Sequence, residues 1–394
     1  MVVPVAARWV AAAFGALLIL GAWQSVIGTL IVPRPVASWL TRAADRMVLT
    51  VYHGLLGRAG DYRRRDRILA TQAAAILLTQ LVGWLGLFLA GFTLVLWPST
   101  GANITSALTD AGSSIFTLGF SEPKGAAPAA VVFIAAASGT VVVALQIGYL
   151  PTLYAAFNRR ETEVALLNSR GGVPSWGPEL LARTFYALGT GVSTIDTLPD
   201  LYRTWERWAA DVAESHSSYL PLVRFRSPQA YSSWITSLLS VMDSAALILV
   251  LAPEQAPVVA ARLCLRGGFQ CLGRVGRAMG FDVPEEADPT AGITLTYEEF
   301  LHAISRLEEV NFPVTRDAAD AWPEFVGWRV NYEKAAYQIA YAVDAVPALW
   351  SGPRRHGDAA MPPRRPPSGR QRAGEADTSR PAGRDGANRS DHHK

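Results

Sequence analysis

Long runs of apolar, uncharged residues alternate with arginine-rich stretches in the N-terminal part of the chain. The runs extend over residues 9–33, 68–97 and 125–158. A helix needs about 20 apolar residues to cross a hydrocarbon core of roughly 30 Å, so each run predicts one membrane-crossing helix. The second uncharged stretch continues beyond its crossing to Asp110 and must therefore contain a further element.

The first run has an alternative interpretation as a secretory signal peptide. Its uncharged stretch is longer than the apolar region of a typical signal peptide, and an arginine-rich segment would be an unusual start for a mature protein. We therefore favour a crossing for residues 9–33, with the signal peptide as the alternative.

Arginine is distributed unequally between the loops, whereas positive charge collects on the cytoplasmic side of membrane proteins. The segment between the second and third crossings has only Asp110, Glu122 and Lys124 as charged residues. This places the N-terminus and residues 98–128 outside and everything after Arg159 in the cytoplasm. The arginines of the first loop are Arg34, Arg42, Arg46, Arg58, Arg63, Arg64, Arg65 and Arg67.

The sequence thus predicts a multi-pass protein of the plasma (inner) membrane with membrane lipid as a partner. The basic run over residues 61–67 has two interpretations. It acts either as an orientation signal alone or also as a contact for anionic lipid headgroups, which attract each cation by about 1 kcal/mol. We favour the orientation signal.

The outer segment contains residues 104–116, which are mostly apolar or small but too short to span a bilayer. Turn-forming residues 98–101 precede them. A re-entrant half-helix fits this length. Because non-helical backbone at membrane depth is tolerated only where protein encloses it or where it lines a water-filled path, residues 117–121 are the candidate conduction site.

Residues 117–122 read TLGFSE. This pattern resembles the pore-loop potassium channel family, whose pore helix precedes a Thr-Val-Gly-Tyr-Gly type filter and an acidic residue. Residues 106–108 (SAL) stand where the family commonly has Asp-Ala-Leu, and residues 114–116 (SIF) stand where it has Thr-Leu-Thr. The resemblance covers residues 68–157, keeps the family's order of crossing, pore helix, filter and crossing, and is greatest to small bacterial channels of this type.

The resemblance implies a homotetramer in which rings of backbone carbonyls replace the water of a dehydrated cation, with K⁺ as the expected permeant ion and no cofactor. Ser121 stands in place of the family's last filter glycine, where a Cβ is costly, so the filter is degenerate. We expect relaxed selectivity among monovalent cations or a pore that no longer conducts. The candidate filter residues are Thr117, Leu118, Gly119, Phe120 and Ser121.

The third run is followed by Arg159 and Arg160, which we expect at the membrane boundary. The third crossing contains Gly139 near mid-depth and Gly148 and Pro151 nearer the cytoplasm. Inner helices of the family often bend at such residues, so these three are candidate gating hinges. The alternative is that they serve close packing, because glycine and proline are common in membrane helices.

Beyond Asn158 charged residues return, and a cluster of helix breakers occupies residues 171–175. Apolar residues then recur at helical spacing over residues 178–344. The fold class is therefore an all-α membrane protein with three transmembrane helices, a re-entrant pore helix and filter between the second and third, and an all-helical cytoplasmic domain.

Two signals predict helix starts within this domain. Ser227 before Pro228 places a capping residue and a first-turn proline in the usual order. Thr296 and Glu299 have the spacing of a capping box.

Residues 231–252 are apolar enough to suggest a fourth crossing. Asp243 lies at their centre, where a charge costs about 3 kcal/mol on insertion, and arginines flank both ends. We favour a buried helix of the cytoplasmic domain, with the fourth crossing as the alternative.

The chain divides into four predicted parts. Residues 1–67 form the first crossing and the basic loop, and residues 68–158 form the pore domain. Residues 159–350 form the helical domain, and residues 351–394, which contain almost no aliphatic residues, form a disordered tail.

Motifs for nucleotide binding, hydrolysis or metal binding are absent from the sequence, and the histidines lack metal-ligand spacing. The two cysteines, Cys264 and Cys271, do not form a CxxC pair. We therefore predict neither an enzyme nor a metal site, and we expect no nucleic-acid partner. The primary hypothesis is a cation channel subunit, and the alternative is a non-conducting membrane-anchored interaction or signalling protein with a vestigial pore loop. Its regulatory ligand is not indicated.

Overall fold

The computed structural model describes residues 4–32, 39–57, 60–100, 103–121, 123–185, 195–285, 288 and 291–364. They form helices and contain no β-strand in these ranges, which confirms the predicted all-α class. The helices are α1 (Val5–Leu30), α2 (Trp39–Leu56), α3 (Tyr62–Leu69), α4 (Gln72–Leu96), α5 (Ile104–Ile115), α6 (Ala126–Gly171), α7 (Gly177–Phe185), α8 (Leu198–Ser218), α9 (Pro221–Arg224), α10 (Trp234–Leu251), α11 (Val258–Ala278), α12 (Tyr297–Glu308), α13 (Ala318–Arg329) and α14 (Glu333–Ala342).

Four helical segments are long and apolar enough to cross a membrane: Val5–Leu30, Tyr62–Ser99, Ala126–Gly171 and Trp234–Leu251. The first three overlap the runs from which crossings were predicted. The fourth is α10, the ambiguous stretch, and 94% of it is buried inside the protein. Because a membrane-crossing helix at the edge of a bundle needs a lipid-facing side, this burial favours a core position for α10.

Helix α4 is the centre of the apolar bundle and contacts α1, α2, α5 and α6. Where α1 crosses α4, a Cβ on Gly15 would lie 2.6 Å from the carbonyl oxygen of Gly91. Small residues at such crossings let helix backbones approach closely. Buried Trp84 of α4 donates its indole N–H to the Ser25 hydroxyl of α1 at 2.8 Å, so a polar bond reinforces the apolar contact.

Helix α6 is much longer than the predicted third crossing, because it continues without interruption to Gly171. Pro151 lies inside it and does not end it. The predicted boundary between pore domain and helical domain at residue 159 therefore falls within one helix.

Arg160 was expected to mark the membrane boundary, but its side chain is fully buried. Its guanidinium donates to the carbonyl oxygens of Leu222 at 2.8 Å and Phe225 at 2.7 Å, and it pairs with Glu161. Arg160 thereby fastens α6 to the segment around α9.

The helical domain has one continuous apolar core that α10 crosses. Asp243 on α10 is buried, and its carboxylate accepts from the Arg329 guanidinium at 2.5 Å and from the Tyr332 hydroxyl at 2.9 Å. Glu333 also pairs with Arg329, at 2.6 Å. A buried carboxylate is tolerated in an apolar helix when it is paired and hydrogen-bonded in this way.

The basic run on α3 makes internal contacts. Arg65 is buried and pairs with Asp358, and with Asp344 at 3.7 Å. Arg226 of the helical domain pairs with Asp66. The other arginines of the run are exposed, so part of the run serves the fold and part faces outward.

The expected start of the tail, Ser351, is buried. Arg354 is also buried and donates to the carbonyl oxygens of Ala345 at 2.7 Å and Val346 at 2.8 Å. Residues 351–364 therefore pack on the helical domain, and the rest of the predicted tail lies outside the described residues.

Candidate pore-loop site

The short helix α5 lies between α4 and α6, as predicted for a re-entrant element, and begins at a capped end. The Asn103 side chain accepts from the backbone N–H of Thr105 at 3.0 Å, which satisfies one of the free N–H groups of the first turn. With 12 residues, α5 is about 18 Å long at 1.5 Å per residue. It is therefore too short to cross a bilayer.

The end of α5 has the hydrogen bonds of a Schellman motif. The N–H of Leu118 donates to the carbonyl oxygen of Ser113 at 2.8 Å, and that of Thr117 donates to Ser114 at 3.0 Å. Thr117 consequently adopts a left-handed conformation with φ of 54°. A residue with a Cβ is strained there by roughly 1–2 kcal/mol, and such strain is frequent at functional sites.

Two residues of α5, Ser113 and Asp110, form hydrogen bonds with one side of the loop. The Ser113 hydroxyl accepts from the backbone N–H groups of Phe120 at 3.1 Å and Ser121 at 3.2 Å. The Ser121 hydroxyl donates to the Asp110 carboxylate. These three hydrogen bonds to one face of the loop fix the course of residues 117–121 relative to α5.

The opposite side of the loop is open. Leu118 and Phe120 are 61% and 65% exposed. Gly119 has a φ of 70°, and no described atom would lie within 4 Å of a Cβ added to it. The side chain of the candidate filter residue Phe120 is therefore not enclosed within a single chain. Glu122 lies outside the described residues.

Gly139 of α6 lies where this helix meets the end of α5. A Cβ at this position would lie only 2.2 Å from the carbonyl oxygen of Ile115. Close packing thus gives a sufficient reason for glycine at this candidate hinge.

The other two candidate hinges have different surroundings. No described atom would lie within 4 Å of a Cβ on Gly148, and Pro151 is exposed within the helix. Neither residue is explained by packing inside one chain, so the hinge prediction stays open for both.

The chemistry that this site offers comes from its backbone. Across the described ranges, no group of His, Cys, Asp and Glu side chains could hold a metal ion. Cys264 and Cys271 are buried far from the loop in sequence, and burial raises the pKa of both thiols. The loop itself presents peptide groups on its open side and a Thr117 hydroxyl that donates to the carbonyl oxygen of Phe116 at 2.8 Å.

Neither protein-family models, nor curated proteins, nor solved structures give a match to this chain. The interpretation of the loop therefore depends on its sequence and geometry alone.

Sequence reasoning located the loop but missed the two residues that support it, Asp110 and Ser113. Asp110 carried a signal, because it is the only charged residue between Arg67 and Glu122 in the sequence. Ser113 carried none, since its role depends on the return of the chain after the Schellman turn.

Proposed function

We propose that this chain is a subunit of a homotetrameric channel for monovalent cations, with K⁺ as the candidate ion. The observation that carries the proposal is that the two sides of the loop of residues 117–121 have different surroundings. Asp110 and Ser113 anchor one side of the loop to α5, and the other side is exposed. Four such loops around an axis would present a ring of backbone carbonyls, the arrangement that replaces the hydration shell of a cation.

The proposed arrangement has α1, α4 and α6 crossing the membrane and α5 entering partway from outside. The helical domain then lies in the cytoplasm with α10 in its core. Exposed apolar side chains on α6 support contact with lipid or neighbouring subunits, since Phe133 and Ile147 are 73% and 63% exposed.

The decisive test is cation flux in liposomes containing the purified chain, compared with its Gly119→Ala variant. At a φ of 70° the added Cβ strains the loop, so we expect flux to be abolished. Gly86→Ala on α4 is the matched control, because no described atom lies within 4 Å of its Cβ position and its φ is ordinary for a helix. This control should conduct like the parent.

Ser121→Gly tests selectivity, and we expect it to sharpen the preference for K⁺. Because this change also removes the hydroxyl bound to Asp110, Ser121→Ala serves as its control. Oligomeric state in detergent provides the second criterion. A monomer or dimer without flux would contradict the proposal and support the non-conducting interaction protein.

A further inference from the structure

A cavity of about 540 Å³ lies where the apolar helices meet the helical domain. On the side formed by the apolar helices, the cavity is lined by Thr29 at the end of α1, Ile76 and Gln80 of α4, and Tyr149 of α6. Its size lies within the range of about 300–1,000 Å³ that small-molecule sites occupy. The cavity is far in sequence from the pore loop and takes no part in the proposed conduction.

The polar side of the cavity is strongly basic. Helix α2 contributes Arg42 and Arg46, the helical domain contributes Arg224, and the segment after α14 contributes Arg355. Asp45 is the one carboxylate in this lining. Four guanidinium groups therefore face one carboxylate.

These four arginines are not neutralised by close ion pairs. Among the described residues, none of them has a carboxylate oxygen within 4 Å. Arg224 donates to the carbonyl oxygen of Ala342 at 3.2 Å, and Arg355 contacts the His53 ring. Arg224 is half-buried, whereas Arg42, Arg46 and Arg355 are exposed. Because a guanidinium that is shielded from water is usually paired, Arg224 has unused capacity to bind an anion, and the exposed arginines add positive charge beside it.

Two further groups are consistent with an anion site. The pKa of the His53 imidazole is lowered by burial and by the charges of Arg355 and Arg224, which reports a positive field inside the cavity. The Thr29 hydroxyl is buried and makes no hydrogen bond within the described part of the chain. A hydroxyl in this position can donate to an anion.

We propose that this cavity binds a phosphate-bearing anion, with Arg42, Arg46 and Arg224 holding the phosphate oxygens and the wall around Ile76 and Tyr149 holding an apolar part. Arginine is the side chain best suited to phosphate, because its planar fork donates two parallel hydrogen bonds. The phosphate can belong to a lipid headgroup or to a soluble phosphate compound. Both share this chemistry.

The test uses the full chain and its Arg42→Gln/Arg46→Gln double variant. Both arginines are exposed, so their replacement leaves the core intact, and circular dichroism verifies the helical content. The control is Arg207→Gln/Arg266→Gln, which removes the same charge from exposed positions on α8 and α11 outside the cavity lining.

In the lipid arm, the protein is placed in nanodiscs that contain phosphatidylglycerol and phosphatidylcholine and is then released from them. Native mass spectrometry counts the phosphatidylglycerol molecules that remain bound to the protein. In the soluble arm, pyrophosphate is titrated against the lipid-free protein in detergent, and the midpoint of thermal unfolding is followed. The parent and the control should bind in one of the two arms, and the double variant should bind about tenfold more weakly there.

The arm that shows binding identifies the source of the phosphate. Absence of binding in both arms would overturn the proposal. Equal weakening in the control and the double variant would also overturn it, because it would reflect overall charge rather than this cavity.

Discussion

At the scale of single residues, the candidate pore loop depends on the hydrogen bond between the Ser121 hydroxyl and the Asp110 carboxylate. A hydrogen bond to a charged group contributes about 1.5–3 kcal/mol, and both groups are only partly buried, which favours the lower end. We expect Asp110→Ala and Ser121→Ala each to lower the free energy of unfolding by about 1–2 kcal/mol. A double-mutant cycle measured by denaturant unfolding in detergent should give a coupling energy of about 1 kcal/mol.

The matched cycle combines Ser121→Ala with Ser106→Ala, which lies on the exposed side of α5. Residues without a shared contact give additive effects. If the effects of Asp110→Ala and Ser121→Ala on the free energy of unfolding were also additive, the hydrogen bond between these residues would not support the loop.

A second residue-scale prediction concerns His216 and acid stability. Burial and then the charge of Arg160 hold the pKa of His216 well below 6.5, while Arg160 contacts its Nε2 at 3.0 Å and Ser215 contacts its Nδ1 at 3.0 Å. The unfolded chain therefore takes up a proton below about pH 6.5 that the folded chain does not, and stability falls as pH decreases. This one group therefore lowers the free energy of unfolding progressively as the pH falls below about 6.5.

The variant His216→Gln isolates this contribution, because its amide oxygen can accept from Arg160 but does not titrate. Unfolding midpoints at a series of pH values should fall less steeply in acid for the variant than for the parent. Identical acid slopes would show that His216 is not the group responsible.

How far single residues could be predicted depended on the range of their interactions. The short helix before residues 117–121 could be predicted, because its length and the turn-forming residues that precede it are local features of the sequence. The burial of Arg160 could not be predicted, because its partners Leu222 and Phe225 lie more than sixty positions away. Charge pattern alone assigned this side chain to the membrane surface.

At the scale of helices, the contact between α5 and α6 fixes the position of α5. A Cβ at Gly139 would lie 2.2 Å from the carbonyl oxygen of Ile115, so Gly139→Ala must push the two helices apart. Overpacking of this kind costs about 1–3 kcal/mol. We expect a lower thermal unfolding midpoint and weaker protection of the α5 amides from hydrogen exchange.

Gly148→Ala on the same helix is the control. Its Cβ would meet no described atom within 4 Å, and alanine favours a helix over glycine by about 1 kcal/mol. The thermal unfolding midpoint of Gly148→Ala should therefore equal or exceed that of the parent chain. A similar loss in both variants would point to the flexibility of α6 rather than to its packing on α5.

Helix boundaries were predictable where a local cap defined them. The capping box predicted at Thr296 and Glu299 is confirmed, with both reciprocal hydrogen bonds present. The predicted helix start at Ser227 is wrong, since α10 begins at Trp234 after Ser233. Arg226, just before that position, is held by the carbonyl oxygens of Val343 and Asp344, and such distant contacts override a local capping signal.

At the scale of the whole molecule, buried polar contacts connect the apolar helices to the helical domain. Arg160 joins α6 to the segment around α9, Arg226 pairs with Asp66 of α3, and Arg65 pairs with Asp358. The contacts of Arg160 are buried and the two ion pairs are partly buried. A displacement of the domain would have to break them, which is costly when a charge remains shielded from water and unpaired. The domain is thus attached to α6 and to α3, and both attachment points lie on the side of the bundle that is predicted to be cytoplasmic.

The insertion penalty of Asp243 favoured, from sequence, a buried helix over a fourth crossing for α10. The partner of Asp243, Arg329, lies 86 positions away and could not be identified. The burial of α10 within the domain predicts that residues on both of its sides remain on one face of the membrane. Cysteine labelling tests this directly, since Cys264 and Cys271 are buried and leave the parent chain unlabelled by a membrane-impermeant maleimide. The exposed positions Lys124 and Val259 provide the reporters.

We expect Lys124→Cys to react in intact cells, because the arginine distribution places the segment before α6 outside. Val259→Cys should react only after permeabilisation, because α11 belongs to the cytoplasmic domain in the proposed arrangement. Labelling of Val259→Cys in intact cells would mean that α10 crosses the bilayer and that the Asp243 to Arg329 pair lies at membrane depth. Labelling of both positions only after permeabilisation would instead contradict the orientation, and with it an entry of α5 from outside.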